Sequence, residues 1–214
     1  MILRDFDLNA PELPRMKASA FRYQIRCVMN LFRRLCRGVR TEDFWRIWVE
    51  CVTHVRHTPT VSGGGVLHVQ IRTEPLDDFT RLPEPAKKAR ALGFLMRGIK
   101  AVAKARRLPL APFLKAKDEV IARGYENTWE RTKQRPKGRL KGVLTCRMNC
   151  RRFEATLSIR SKAGDLLARS IVLRTKPDEL HFGYSIKKLA WRGNVLELLD
   201  WRSRPVAALS LPAD

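Results

Sequence analysis

The sequence contains no apolar run approaching the roughly 18–20 residues that a membrane-spanning helix needs. Its first stretch, Met1 to Leu13, holds Asp5, Asp7 and Glu12 and no apolar core, so no secretory leader is expected there. Cysteine is sparse and odd in number, with five residues at irregular positions (27, 36, 51, 146 and 150). That pattern excludes a disulfide framework and suits reduced core thiols in a reducing compartment, the cytoplasm.

Recognisable chemistry is also missing. Glu50, His54 and His57 would lie one helical turn apart, with Cys51 beside them. Their order is not that of the HExxH zinc motif and no second cluster completes a coordination shell, so no metal is expected. Cys146 and Cys150 fall on one face of a strand and read as core. Pro177-Asp178-Glu179 resembles the opening of the PD-(D/E)xK nuclease pattern, but no Asp or Glu stands two residues before a Lys anywhere in the chain. Gly63-Gly64-Gly65 precedes a strand, whereas a phosphate loop follows one and opens a helix. No G-x-S-x-G elbow occurs. No catalytic residue and no cofactor is assigned, and the expectation leans towards a protein that is not an enzyme.

Acid is scarce relative to base. Lys and Arg number 43 against 21 Asp and Glu, a net charge of +22 in 214 residues. Residues 1–107 carry 21 basic and 10 acidic side chains, and residues 108–214 carry 22 and 11. The charge therefore belongs to the folded body and not to a basic tail. The hydrophobic fraction of 44% is that of a folded protein. Such a chain attracts polyanions or acidic surfaces.

Periodicity organises the first part into helices. Phe21, Ile25, Val28, Phe32 and Leu35 predict a helix over 17–37, ended by Gly38. Thr41 as an N-cap and an apolar circumference of Phe44, Trp45, Ile47, Trp48, Val49, Cys51, Val52 and Val55 predict a second, buried helix over about 41–55. The two would form an antiparallel helical hairpin. Residues 1–16 read as an extended lead-in and 58–65 as a loop. A strand is expected at 66–73, a third helix over 85–107 on Leu92, Leu95, Ile99 and Val102, and a fourth over 112–123 capped by Gly124.

After a basic connector at 131–141 the period falls towards two. Strands are expected near 141–149, 152–160, 167–175, 180–190, 195–201 and 205–211, forming one antiparallel meander. The strand near 180–190 carries Phe182-Gly183-Tyr184, which resembles the aromatic strand of RNA-recognition and cold-shock folds. Only that strand shows the resemblance, and Phe182 and Tyr184 read as core. The fold class is α+β: a mostly helical basic part over 1–135, packed with a β-meander over 136–214. The strand at 66–73 would make this one domain if it joined the later sheet.

Three windows contain no Asp or Glu: 13–41, 85–117 and 131–153. In the second, Arg90, Arg97, Lys100, Lys104 and Arg107 recur at helical spacing. Arg97 lies about 200° around the helix from Leu95 and from Ile99, so the cations oppose the apolar stripe. In the first, Arg22, Arg26 and Arg33 flank the buried face, and Arg37 continues the run. In the third, Arg147, Arg151 and Arg152 sit on or beside the first later strands. These twelve residues are the candidate contacts for an anionic partner, because guanidinium forks and ammonium groups suit phosphate.

The leading expectation is a binding protein for DNA or RNA acting through phosphate contacts. An antitoxin or immunity-type protein that neutralises an acidic enzyme fits the same charges. A metal-dependent nuclease would need carboxylates such as Asp118, Glu119, Glu126 or Glu130 brought together by folding.

Overall fold

The computed structural model describes residues 1–136 and 138–211, and the chain divides into two compact units, residues 1–127 and 128–214. Among the described residues there are four helices and eleven strands in three sheets, so the mixed α+β class holds.

The first unit is built around parallel strands. Strand β1 (Asp5–Asn9) leads into helix α1 (Arg15–Leu35) and then strand β2 (Arg46–Val52). A short strand β3 (Thr60–Ser62) turns back into β4 (Val66–Arg72), followed by α2 (Glu84–Arg106) and α3 (Ala111–Ala122). The sheet order is β1-β2-β4-β3. β1 pairs in parallel with β2, and β2 in parallel with β4; only β3 runs antiparallel.

One face of this sheet is core. Phe6, Leu8, Ile47, Val49, Cys51, Leu67, Val69 and Ile71 are buried beneath the helices, where Phe6 meets Phe32 of α1 and Phe113 of α3 edge-on at 5.0 and 6.3 Å. The other face carries the alternate residues in register: Asp5 opposite Arg46, Asp7 opposite Trp48 and His68, and Asn9 opposite Glu50 and Gln70.

The second helix expected at 41–55 is therefore a strand. Residues 47, 49 and 51 are buried while 46, 48 and 50 are half-buried on the far face, a period of two. Thr41 caps no helix; its hydroxyl donates to the Phe44 carbonyl. No helical hairpin forms, because α1 is the crossover that joins two parallel strands. The lead-in contains β1, and the loop at 58–65 contains β3. The strand at 66–72 joins these N-terminal strands and not the later sheets. Gly124 adopts a φ of +58° after α3 and donates to the Ile121 carbonyl at 2.8 Å, the left-handed turn that ends a helix.

Helix α2 packs through a glycine. A Cβ at Gly98 would lie 2.4 Å from Val49 Cγ2, whereas Gly93 of the same helix faces open space. Gly93→Ala is expected to stabilise the protein by about 0.4–1 kcal/mol through the unfolded chain. Gly98→Ala gains the same helix preference but overpacks the sheet, costing about 1–3 kcal/mol. Urea midpoints of the two variants should move in opposite directions; a shared direction would refute this packing.

The second unit is all β apart from one turn of helix. β5 (Asn127–Gln134), β6 (Lys141–Met148), β7 (Phe153–Arg160) and β8 (Leu166–Thr175) form one sheet in that order. α4 (Glu179–Phe182) precedes a second sheet, β9 (Lys188–Arg192), β10 (Val195–Leu199) and β11 (Pro205–Ser210), ordered β11-β10-β9. Leu196 and Leu198 are fully buried, and a Cβ on Gly142 of β6 would collide with Leu196 at 2.4 Å, so the sheets touch there.

The single meander of about six strands is corrected on three points. There are two sheets, of four strands and three. The basic connector at 131–141 begins inside β5, a strand not expected from the sequence. The segment expected as a strand at 180–190 begins with α4, because Asp178 accepts from the Leu180 amide at 3.1 Å as an N-cap. Phe182 then stacks on Phe153 at 3.7 Å inside the core, while Tyr184 is exposed.

Candidate anion-binding surface

The three acid-free windows have different fates. Arg22, Arg26 and Arg33 of α1 turn onto the far face of β1. Asp7 there is completely buried, and its carboxylate lies 3.2 Å from Arg26, 3.7 Å from Arg22 and 2.6 Å from Arg46. It also accepts from the Leu8 amide at 3.0 Å. Arg33 lies 3.6 Å and Arg46 3.3 Å from Asp5. Burial pushes the Asp5 carboxyl above the usual carboxylate range, against the pull of Arg46, Arg33 and Arg26. Trp48 lies under Arg46 and Arg22, with centroid distances of 4.7 and 5.6 Å. These arginines are internal counterions that fasten α1 to the sheet. Arg37 is exposed, and its Nε donates to the Arg34 carbonyl at 2.9 Å.

The stripe on α2 is different. Leu92, Leu95, Ile99 and Val102 are buried, Arg97, Lys100 and Lys104 are exposed on the opposite side, and Arg107, also exposed, is the left-handed residue that ends the helix. Among the described residues no carboxylate lies within 4.0 Å of Arg90, Arg97, Lys100, Lys104 or Arg107. The neighbouring acids are engaged elsewhere: Glu84 holds Lys88 at 2.9 Å and Asp43 meets Arg106 at 3.5 Å.

At the Arg90–Arg97 end the stripe enters a groove of about 790 Å³ lined by Thr53, His54, Arg72, Thr73, Glu74, Pro75, Arg90, Phe94 and Arg97. Thr53 and Thr73 are the first residues after β2 and β4. The groove thus opens at the carboxyl ends of the parallel strands, where ligands of open α/β sheets bind. Arg97 is pinned there by donating to the Arg72 carbonyl, and Arg90 lies over the Phe94 ring at 5.8 Å. Arg72 and this groove carried no sequence signal, because β2 read as a helix and the strand ends were not aligned.

The third window belongs to the second unit. Arg147 is on the exposed side of β6, and Arg151 and Arg152 lie in the turn before β7, where their amides donate to Asn149 Oδ1 at 2.8 and 2.9 Å. Arg152 also lies 3.9 Å from Glu154. This unit exposes Tyr184 and Trp201, whose rings meet edge-on at 6.3 Å, with Arg202 over Trp201 at 4.6 Å.

The histidine cluster dissolves with the helix that was to carry it. Glu50 lies on β2, 3.7 Å from His68, and His54 Nδ1 lies 3.1 Å from the Thr53 hydroxyl. All five cysteines are buried, and burial pushes the Cys36 and Cys51 thiols up to about 12. Among the described residues no helix is long and apolar enough to cross a membrane. No protein-family model, curated protein or solved structure matches the chain, so its functional reading rests on these residues.

Proposed function

We propose that the protein binds nucleic acid through phosphate contacts, with the exposed face of α2 as its main contact element. The observation that carries this reading is the set of five cations, four on α2 and Arg107 at its C-cap, that have no carboxylate partner among the described residues. An ordinary solvated helix face mixes both signs of charge and satisfies them locally. Here Arg97 to Arg107 spans about 15 Å at 1.5 Å per residue, a line that follows successive phosphates. Binding by such a line is electrostatic and independent of sequence.

A short labelled duplex followed by fluorescence anisotropy tests it. If all five side chains neutralise a phosphate, the logarithm of affinity falls against that of salt with a slope of about −4.5. Affinity then drops on the order of 10²–10³-fold between 50 and 200 mM salt. A flat salt dependence, or no binding at the lower salt, overturns the reading.

One observation favours a second reading, an immunity or antitoxin-type protein that neutralises an acidic enzyme. Tyr184, Trp201 and Arg202 are exposed together, and these residue types dominate the energetics of protein interfaces. Under that reading the partner is a protein, and the duplex gives no signal.

A further inference from the structure

We infer that the groove at the carboxyl ends of β2 and β4 is a phosphomonoester site, which seats the phosphorylated end of a nucleic-acid strand lying along α2. The inference rests on the nucleic-acid reading above and adds to it a selectivity that α2 alone would lack.

A line of cations and a concave cluster of guanidiniums recognise different things. Lys100 and Lys104 stand along the exposed helix face and Arg107 is the residue that caps its end, and each suits one singly charged diester. Arg72, Arg90 and Arg97 instead line one groove, in which Glu74 is the one acid among the described lining residues. Three guanidiniums in one depression exceed what a diester can compensate. A terminal phosphate carries about −1.5 to −2 charges and three oxygens free to accept, which suits several guanidinium donors at once.

The groove is also organised in advance. Arg97 is held by the Arg72 carbonyl and Arg90 rests on Phe94, so two of the three cations lose little freedom on binding. The Thr73 hydroxyl is at the same strand ends and can donate to a remaining phosphate oxygen, whereas the Thr53 hydroxyl already donates to Glu12 Oε1 at 3.2 Å. Arg90 and Arg97 belong both to the groove and to the stripe. A strand whose end occupies the groove is therefore already aligned on Lys100 and beyond.

The test compares single strands of one sequence carrying a 5′-phosphate, a 3′-phosphate or hydroxyl ends, with a nucleoside monophosphate and inorganic phosphate as separate ligands. At least one phosphorylated strand should bind 10-fold or more tightly than the hydroxyl-ended strand. Arg72→Ala with Arg90→Ala should abolish that preference and leave the Lys100, Lys104 and Arg107 contribution to the salt slope. Arg90→Lys, which keeps the charge but not the fork, should retain part of the preference, and thermal melting reports whether each variant is folded. Monophosphate or inorganic phosphate that displaces the phosphorylated strand only at far higher concentration identifies the strand end as the source. A free monophosphate that binds as tightly as the strand, and needs Arg72 and Arg90, keeps the phosphomonoester site but assigns it to a small ligand.

Equal affinity for all three strands, with a steep salt slope intact, overturns the groove and leaves the nucleic-acid reading standing. If no strand binds, that reading fails, and the groove is decided by the monophosphate arm alone: Arg72- and Arg90-dependent binding supports it, and no binding overturns it.

Discussion

Asp7→Ala is expected to destabilise the first unit by about 3–5 kcal/mol, the cost of stranding buried charge by removing one partner of its ion pairs. Asp7 is fully buried, and its carboxylate is shared by Arg22, Arg26 and Arg46. Arg26 is itself largely buried, with 11% of its side chain exposed, so it cannot turn to water without moving α1. The loss compares with total stabilities of about 5–15 kcal/mol for whole domains. A urea titration should show the midpoint for this unit falling by about a fifth or more. Asp7→Asn keeps an acceptor for the Leu8 amide and should lose less. A midpoint within experimental error of the unsubstituted protein would mean that the arginines are held by something other than Asp7. The cluster is not thereby shown to be the most stable solution for that space, since a well-packed apolar replacement of all partners often does as well.

The same cluster explains what was legible in the sequence. Helices α1, α2 and α3 were read within two residues of their observed starts, because each carries an uninterrupted stripe at the helical period. β2 reads as a helix because Trp45 and Trp48 stand among Phe44, Ile47, Val49, Cys51 and Val52 and fill out an apolar circumference. Trp48 lies on the far face with Arg46 and Glu50, half-buried under Arg22 and Arg46, so one large apolar side chain blurs an alternation that the burial pattern keeps. β1 does alternate, as Asp5-Phe6-Asp7-Leu8. Aspartate in a strand argues against the assignment until the arginines that neutralise it are known, and three of those four come from α1. β5 lacks a buried face altogether beyond Asn127 and the half-buried Trp129, which left only polar residues to read.

The charge pattern was legible as position but not as partnership. The sequence places Arg22, Arg26 and Arg33 beside a buried stripe, and Arg97, Lys100 and Lys104 opposite one. The first position brings the cations against a strand that carries carboxylates, because the parallel β1–α1–β2 crossover puts Asp5 and Asp7 there, whereas the strand residue that Arg97 reaches offers a backbone carbonyl. The two sets look alike as acid-free windows because the acids that answer α1, Asp5 and Asp7, lie a few residues upstream of its window. The difference between a structural arginine and an available one is set by contacts distant in the chain.

That difference is the basis of the second large effect. Replacing Lys100, Lys104 and Arg107 together with alanine should leave the urea midpoint within about 0.5 kcal/mol of the original, since exposed side chains without partners add little to stability. It should reduce the magnitude of the salt slope for nucleic acid by about 2.7 and weaken binding on the order of 10²–10³-fold at about 0.1 M salt. Arg22→Ala with Arg26→Ala is the contrasting pair. It removes almost as much charge but strikes the counterions of a buried carboxylate, so the urea midpoint should collapse while any surviving folded protein keeps its slope. Stability and salt slope are thus expected to separate cleanly between two equally basic helices. If the α2 triple variant kept the full slope, the contact surface would lie elsewhere, and the exposed arginines of the second unit, Arg147 and Arg151, would be the next to replace. If instead it lost stability, the α2 cations would have partners in the fold, and their availability to phosphate would no longer support the function proposed for them.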